Sequence, residues 1–176
     1  MIKHFGIMQG RLLPKFKNRF QAHPLGYWKD EFTIAKEIGL SYIEFILDYN
    51  DYEKNPLMSD LGIKEIENII QKTGIVVRSI CADIFMEVPL HSDNNFISKT
   101  SKEILLKLIE NSAKLGITDI VIPCVDQSKL KGEVDQKRLI ENLTEPINLA
   151  NKRKINLALE TDLAPIPFLN LQFANN

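Results

Sequence analysis

The chain has 176 residues, 44% of them hydrophobic and 26% charged, with a formal net charge of −1 at pH 7. That composition belongs to a globular domain with one sizeable core rather than to a disordered segment. It excludes the basic footprint of a nucleic-acid binder, and no apolar run approaches the ~20 residues that span a bilayer.

The first element, HFGIMQGRL, reads as a strand. A helical stripe of Trp28, Phe32, Ala35 and Ile38 follows. One local pattern then recurs: KEIGLSYIEFILD (36–48), QKTGIVVRSICAD (71–83), AKLGITDIVIPCVD (113–126) and NKRKINLALETD (151–162). Each copy is a basic helix end, a turn residue, then a short apolar strand that finishes on Asp. Gly39, Gly74 and Gly116 suit the left-handed residue after a helix, and Lys154 stands in that place in the last copy. The intervening segments carry helical stripes at Ile63, Ile66, Ile69 and Ile70, at Ile104, Leu105, Leu108 and Ile109, and at Leu139, Leu143 and Ile147. Pro146 is expected to disturb the last of these helices. Strand and helix therefore alternate, which predicts a parallel α/β sheet with right-handed crossovers and a single domain over residues 1–176.

Two architectures compete for that pattern. A doubly wound sheet places a glycine-rich turn after its first strand, and MQGRLLPK has neither GxGxxG nor GxxxxGK spacing. A (β/α)8 TIM barrel instead sets functional groups at the C-terminal end of each strand. The strand ends here carry Gln9 and Arg11, Glu44 and Asp48, Cys81 and Asp83, Cys124 and Asp126, and Glu160 and Asp162. The expectation is a partial TIM barrel of about five strands and four to five helices. In NLALETD, Ala158, Glu160 and Asp162 share the face opposite Leu157 and Leu159, so two acids point away from the helix layer. A buried carboxylate is costly unless paired, hydrogen-bonded or bound to a metal. The bland alternative is a pair of solvated strand-end acids.

The motifs GIMQGRL, FQAHP before a Trp-led helix, IEFILD, VRSICADIFMEVPL, IVIPCVD and LALETDL, in that order, resemble the sugar phosphate isomerase/epimerase group of the xylose isomerase-like barrel superfamily. The resemblance runs from residue 1 to about 168. It implies an isomerase or epimerase acting on a small sugar or sugar phosphate through an enediolate. It also implies a divalent metal, manganese or magnesium ahead of cobalt or zinc. Glu160 matches the family's fifth-strand Glu, which ligates the metal and takes part in proton transfer. Gln9, Arg11, Glu44, Asp83 and Asp162 are the expected substrate contacts, and Arg11 and Lys15 are the candidates for a phosphate. Glu44 has an alternative partner in Arg11 or Arg78, and Asp162 an alternative role as a loop cap. His23 and His91 read as solvated loop histidines, and Cys81 and Cys124 as small buried hydrophobes rather than redox groups. An abasic-site endonuclease of the same superfamily is disfavoured, because it would need a histidine-rich three-metal site and a basic DNA face, which three histidines and a net charge of −1 do not supply.

A full barrel takes about 250 residues. The expectation is therefore the N-terminal part of one, with a helix beginning at PFLNL, a terminal LQFANN outside the resemblance, and the other metal ligands on strands outside this chain. The alternative to an enzyme is a non-catalytic fragment or scaffold that needs another chain for activity. Open sheet edges and an inward face expected to hold Ile7, Ile46 and Val77 would favour oligomers. No nucleic-acid or membrane partner is expected. MIKHFGIMQGRL lacks the apolar core of a signal peptide and the cysteines are few, so the cytoplasm is the expected location.

Overall fold

The computed structural model describes residues 5–165 and Leu171. The expected helix at PFLNL and the terminal LQFANN, Leu171 apart, lie outside the described residues. Five strands, β1 (Gly6–Met8), β2 (Tyr42–Ile46), β3 (Val76–Cys81), β4 (Asp119–Cys124) and β5 (Asn156–Thr161), form one parallel sheet in the order β1-β2-β3-β4-β5. Between them run α1 (Asp30–Glu37), α2 (Asp60–Thr73), a short α3 (Ile84–Glu87), α4 (Asn95–Leu115) and α5 (Glu133–Arg153). Neighbours taken in sequence order without a reversal are what successive right-handed crossovers on one face produce. A doubly wound sheet would reverse at a switch point, so the barrel-type arrangement stands.

The core lies between that sheet and the helices. Ile43 and Phe45 of β2, Ile80 of β3, and Ile120 and Ile122 of β4 meet Phe32, Ile66, Leu105, Leu108 and Leu139 of the helices, all buried. α3 was not anticipated; it buries Ile84 and Phe85 just beyond β3. Two expectations about the helices fail. Ile38 follows α1 and is 58% exposed, so the buried stripe ends at Ala35. Pro146 does not break α5, which runs unbroken through it with Leu139, Leu143, Pro146 and Ala150 buried on one face. The missing N–H costs one hydrogen bond in a helix of 21 residues that tertiary packing holds in place.

Helix ends follow the sequence pattern. Gly74 and Gly116 take φ of 78° and 70°, and Lys154 adopts the same left-handed conformation at φ 58°. A side chain there is strained where glycine is not. Lys154→Gly should therefore stabilise the chain by about 0.5–1 kcal/mol, read as a higher urea midpoint at unchanged m-value.

The inward face differs from the expected one at two of three positions. Ile46 is on it, but Val77 is 2% exposed within the helix-side core, and Ile7 packs on that core as well. The reason at β3 is a bulge. Val77 pairs with Ile43 while Ser79 pairs with Glu44, so Arg78 is an extra residue between them. Simple alternation counted back from Cys81 and Ser79 therefore gives Val77 the wrong face. At β1, the register pairs Gly6 with Tyr42 and Met8 with Glu44, which leaves Ile7 and Gln9 on the helix side.

Candidate functional site

The bulge sets the chemistry at the C-terminal end of the sheet. By shifting β3 one residue, it turns Ile80 into the core and brings Ser79, Cys81 and then Asp83 beside Glu44. The Ser79 hydroxyl donates to Glu44 Oε2 at 2.6 Å, and the Cys81 thiol donates to Asp83 Oδ1 at 3.0 Å. Glu44 is thus held by Ser79, not by Arg11 or Arg78; the Arg78 guanidinium lies 6.0 Å from the centre of the Tyr42 ring instead. Burial, then the Asp83 charge with smaller contributions from Glu44 and Glu160, pushes the Cys81 thiol far up, so it stays protonated. Burial also pushes Asp83 up, with the Asp48 and Glu160 charges adding to it and Cys81 and Arg19 opposing. The charges of Asp83, Glu44 and Glu160 thus act on the Cys81 thiol from the same end of the sheet.

Glu160 sits opposite Pro123 near the end of β5 and is exposed, as is Asp162 two residues on. Leu157 and Leu159 are half-buried against the core, so the two acids do face away from the helix layer. Among the described residues no three His, Cys, Asp or Glu side chains come together as a set able to hold a metal ion. Glu160 and its neighbours offer carboxylate oxygens of the kind hard cations prefer, but not by themselves a complete coordination shell.

Gln9, expected in the mouth, is fully buried. Its Oε1 accepts the Ile46 N–H at 3.1 Å and lies 3.2 Å from His23 Nδ1, so the carboxamide ties the end of β1 to the end of β2. Ile46 N–H needs an acceptor there, which fixes the amide orientation and makes His23 Nδ1 the donor. His23 is not a solvated loop residue. It is 5% exposed, with ring centroids 5.3 Å from Phe45 and 6.2 Å from Trp28, and burial lowers its pKa to about 4. His91, expected in solvent as well, is 6% exposed and lowered by burial. Cys124 behaves as expected: it belongs to the core, and burial raises its thiol to about 12.

The loop after β1 folds over the end of β2. Buried Asp48 accepts the His23 N–H at 2.7 Å and pairs with Arg19 at 2.7 Å. Arg11 is exposed, donating to Gln21 Oε1 at 2.7 Å, and the Lys15 ammonium lies 4.9 Å from the centre of the half-exposed Phe20 ring. Gly10 makes this turn, with φ 82° and Ala22 O only 2.8 Å from where a Cβ would stand.

Glu31 is the residue the sequence reading missed. It is fully buried and accepts the N–H of Gly10 at 2.8 Å on one oxygen and of Leu12 at 3.0 Å on the other. The signal was present: Glu31 stands four residues before Ala35, on the apolar stripe, where an acid has to be satisfied internally. A Gln side chain would turn an NH2 toward one of those two N–H donors. Glu31→Gln should cost about 1–3 kcal/mol at neutral pH. Burial raises the Glu31 pKa against the opposing backbone bonds. Its pH-dependent contribution to stability is therefore full below the unfolded pKa and lost as pH rises through the folded one. Urea unfolding across that interval should show a steeper decline in the native chain than in the variant, where the raised Asp83 still contributes its own.

The comparisons with known proteins agree with this geometry. The family described as "xylose isomerase-like TIM barrel" matches residues 32–166. An L-ribulose-5-phosphate 3-epimerase of Salmonella heidelberg (strain SL476) is 25% identical over 145 residues, covering 81% of this chain and 50% of that protein. The chain thus spans about half the length of the curated relatives it matches. Two solved structures share the fold. A 3-keto-D-glucoside 4-epimerase from E. coli superposes with TM-score 0.62 at 16% identity, over 88% of this chain and 54% of the other. A D-psicose 3-epimerase from Clostridium cellulolyticum H10, solved with D-tagatose, superposes with TM-score 0.58 at 20% identity, over 75% and 46%.

Proposed function

Because the chain belongs to the xylose isomerase-like TIM barrel family, we propose that it forms the N-terminal strands of a sugar or sugar-phosphate epimerase or isomerase. The observation that carries this is the group of carboxylates, Glu44 held by Ser79, Asp83 held by Cys81, and Glu160, gathered at the C-terminal ends of β2, β3 and β5. Such a surface accepts hydrogen bonds from several hydroxyls of one small polyol. Both curated and structural relatives carry names of epimerases of sugars or their phosphates, which supports a ketose or ketose phosphate as the substrate.

In the proposed reaction Glu160 takes the weakly acidic proton from the carbon beside the carbonyl, giving an enediolate. For an isomerase Glu160 returns that proton at the next carbon; for an epimerase an acid on the opposite barrel wall supplies a proton to the other face, while Glu160 keeps the first until solvent removes it. Glu44, Asp83 and Asp162 hold the hydroxyls that fix which carbon is presented, and Arg11 with Lys15 takes a phosphate where one is present. Gln9, in this scheme, holds the first strand's end rather than the sugar. A divalent cation, manganese or magnesium ahead of cobalt or zinc, with Glu160 as one ligand, would supply Lewis-acid stabilisation of the developing oxygen charge.

The test is a panel of ketoses and ketose phosphates incubated in deuterated buffer with a closed barrel that contains this chain. Deuterium entering at a carbon flanking the carbonyl is the expected result, and no exchange with any of them would argue for another reaction. The second reading, a non-catalytic fragment or scaffold, is favoured by the lack of a three-ligand set among the described residues. No described helix is long and apolar enough to cross a membrane, and we keep the cytoplasm as the proposed location.

A further inference from the structure

Away from the carboxylates, a cavity of about 360 Å3 opens between the segment joining α3 to α4 and the segment joining β4 to α5. Lys129, Lys131, Arg138 and His91 line it, with Asp93 and Asp135 as the acids. The two acids differ in what they leave free. Asp135 is already engaged, accepting the Lys131 N–H at 2.9 Å and pairing with Arg138 at 3.2 Å, so it braces the loop and orients the guanidinium. Lys129 and Lys131 form no ion pair among the described residues, although other exposed lysines of this chain do. His91 is 6% exposed, and its Nδ1 is buried without a hydrogen-bond partner. Gln127, also on the wall, is held by Glu87 at 3.2 Å.

We propose that this cavity is an oxyanion site that takes a phosphate group. The chemistry is two free ammonium groups and a guanidinium fixed by its carboxylate partner, around a polar space of the size of a small phosphorylated ligand. The Asp135 carboxylate and the His91 carbonyl, 3.5 Å from the guanidinium, hold Arg138 at the wall of the cavity, which lowers the entropic cost of ordering it against an oxyanion. Nothing in the proposed epimerase reaction uses these residues, and they sit on segments after β3 and β4 rather than on the loop that holds Arg11 and Lys15.

Equilibrium dialysis of the full chain against radiolabelled inorganic phosphate, at constant ionic strength set with chloride, tests the site. Saturable uptake is expected. Joint replacement Lys129→Ala and Lys131→Ala, both exposed and outside any packing, should weaken it at least about ten-fold with an unchanged circular dichroism spectrum. Asp93→Asn removes the lining carboxylate that forms no ion pair among the described residues, leaves the Asp135–Arg138 brace intact and should tighten it several-fold, a direction that simple loss of structure would not give. Ribose 5-phosphate that displaces the label at equal or lower concentration identifies a phosphate monoester as the ligand; failure to displace it identifies free phosphate. Uptake that is absent, that survives the double lysine replacement, or that disappears in Arg11→Ala instead would overturn the site.

Discussion

Glu160→Gln, in a closed barrel that contains this chain, is expected to lower divalent-metal affinity sharply and to reduce turnover by about 1,000-fold or more, the scale of losing a positioned general base together with a charge on a metal. Stability should move little. Glu160 is exposed at the end of β5, and surface substitutions away from packing or buried networks fall within about ±0.5 kcal/mol. The carboxamide keeps size and one acceptor oxygen but carries no charge and accepts no proton at neutral pH, so a loss confined to metal binding and turnover separates chemistry from folding. Calorimetric titration with manganese beside a turnover assay decides it. Unchanged affinity in the variant would remove Glu160 from the site and leave it a solvated strand-end acid.

The alternation of elements was legible because each strand after the first is preceded by the same kind of helix-ending turn, and the barrel-type order followed from it. The inward row was only partly legible. In β5 the period of two places Ala158 and Glu160 opposite Leu157 and Leu159 without interruption, and the register agrees. In β3 the extra residue Arg78 resets the count, and no turn residue announces it: Val, Arg and Ser are all at home in a strand. Gln9 misled for a different reason. A polar residue at a strand end suggests a mouth, yet the unpaired Ile46 N–H beside it makes a buried carboxamide worthwhile.

The histidines follow the same logic. His23 precedes Pro24 in a segment with Gly26, and His91 stands among Pro89, Ser92 and Asp93, surroundings that read as solvated, but both rings are buried and burial keeps them neutral. What the sequence signals is which side chains are polar, and what it hides is whether backbone donors or solvent satisfy them. Glu31 shows that the helical period can reveal the difference, because an acid on the apolar stripe has nowhere to go but inward.

Expressed by itself, the 176-residue chain is expected to be oligomeric, aggregated or loosely packed, with no isomerase activity. Its helix-side core is well formed, so circular dichroism should report native-like helix and strand content. The other face of the sheet is where stability is lost. Val76 is 42% exposed, Ala158 is exposed and Tyr42 half-buried, although in a closed barrel an opposite wall would cover that face. At about 25 cal/mol per Å2 of apolar surface, leaving a few such side chains uncovered forgoes several kcal/mol, against a typical domain stability of roughly 5–15 kcal/mol. The edges act in the same direction. Among the described residues β1 pairs only with β2 and β5 only with β4, and β5 offers six residues of strand with no proline among them. Such an edge pairs readily with another chain. Light scattering behind size-exclusion chromatography should therefore give a mass above 20.2 kDa or a broad distribution, with binding of a hydrophobic dye and no deuterium exchange into ketoses in added manganese. A monodisperse monomer that unfolds cooperatively would mean that the inward face is covered by some other packing, and metal-dependent turnover by that monomer would mean that the described carboxylates need no further strands.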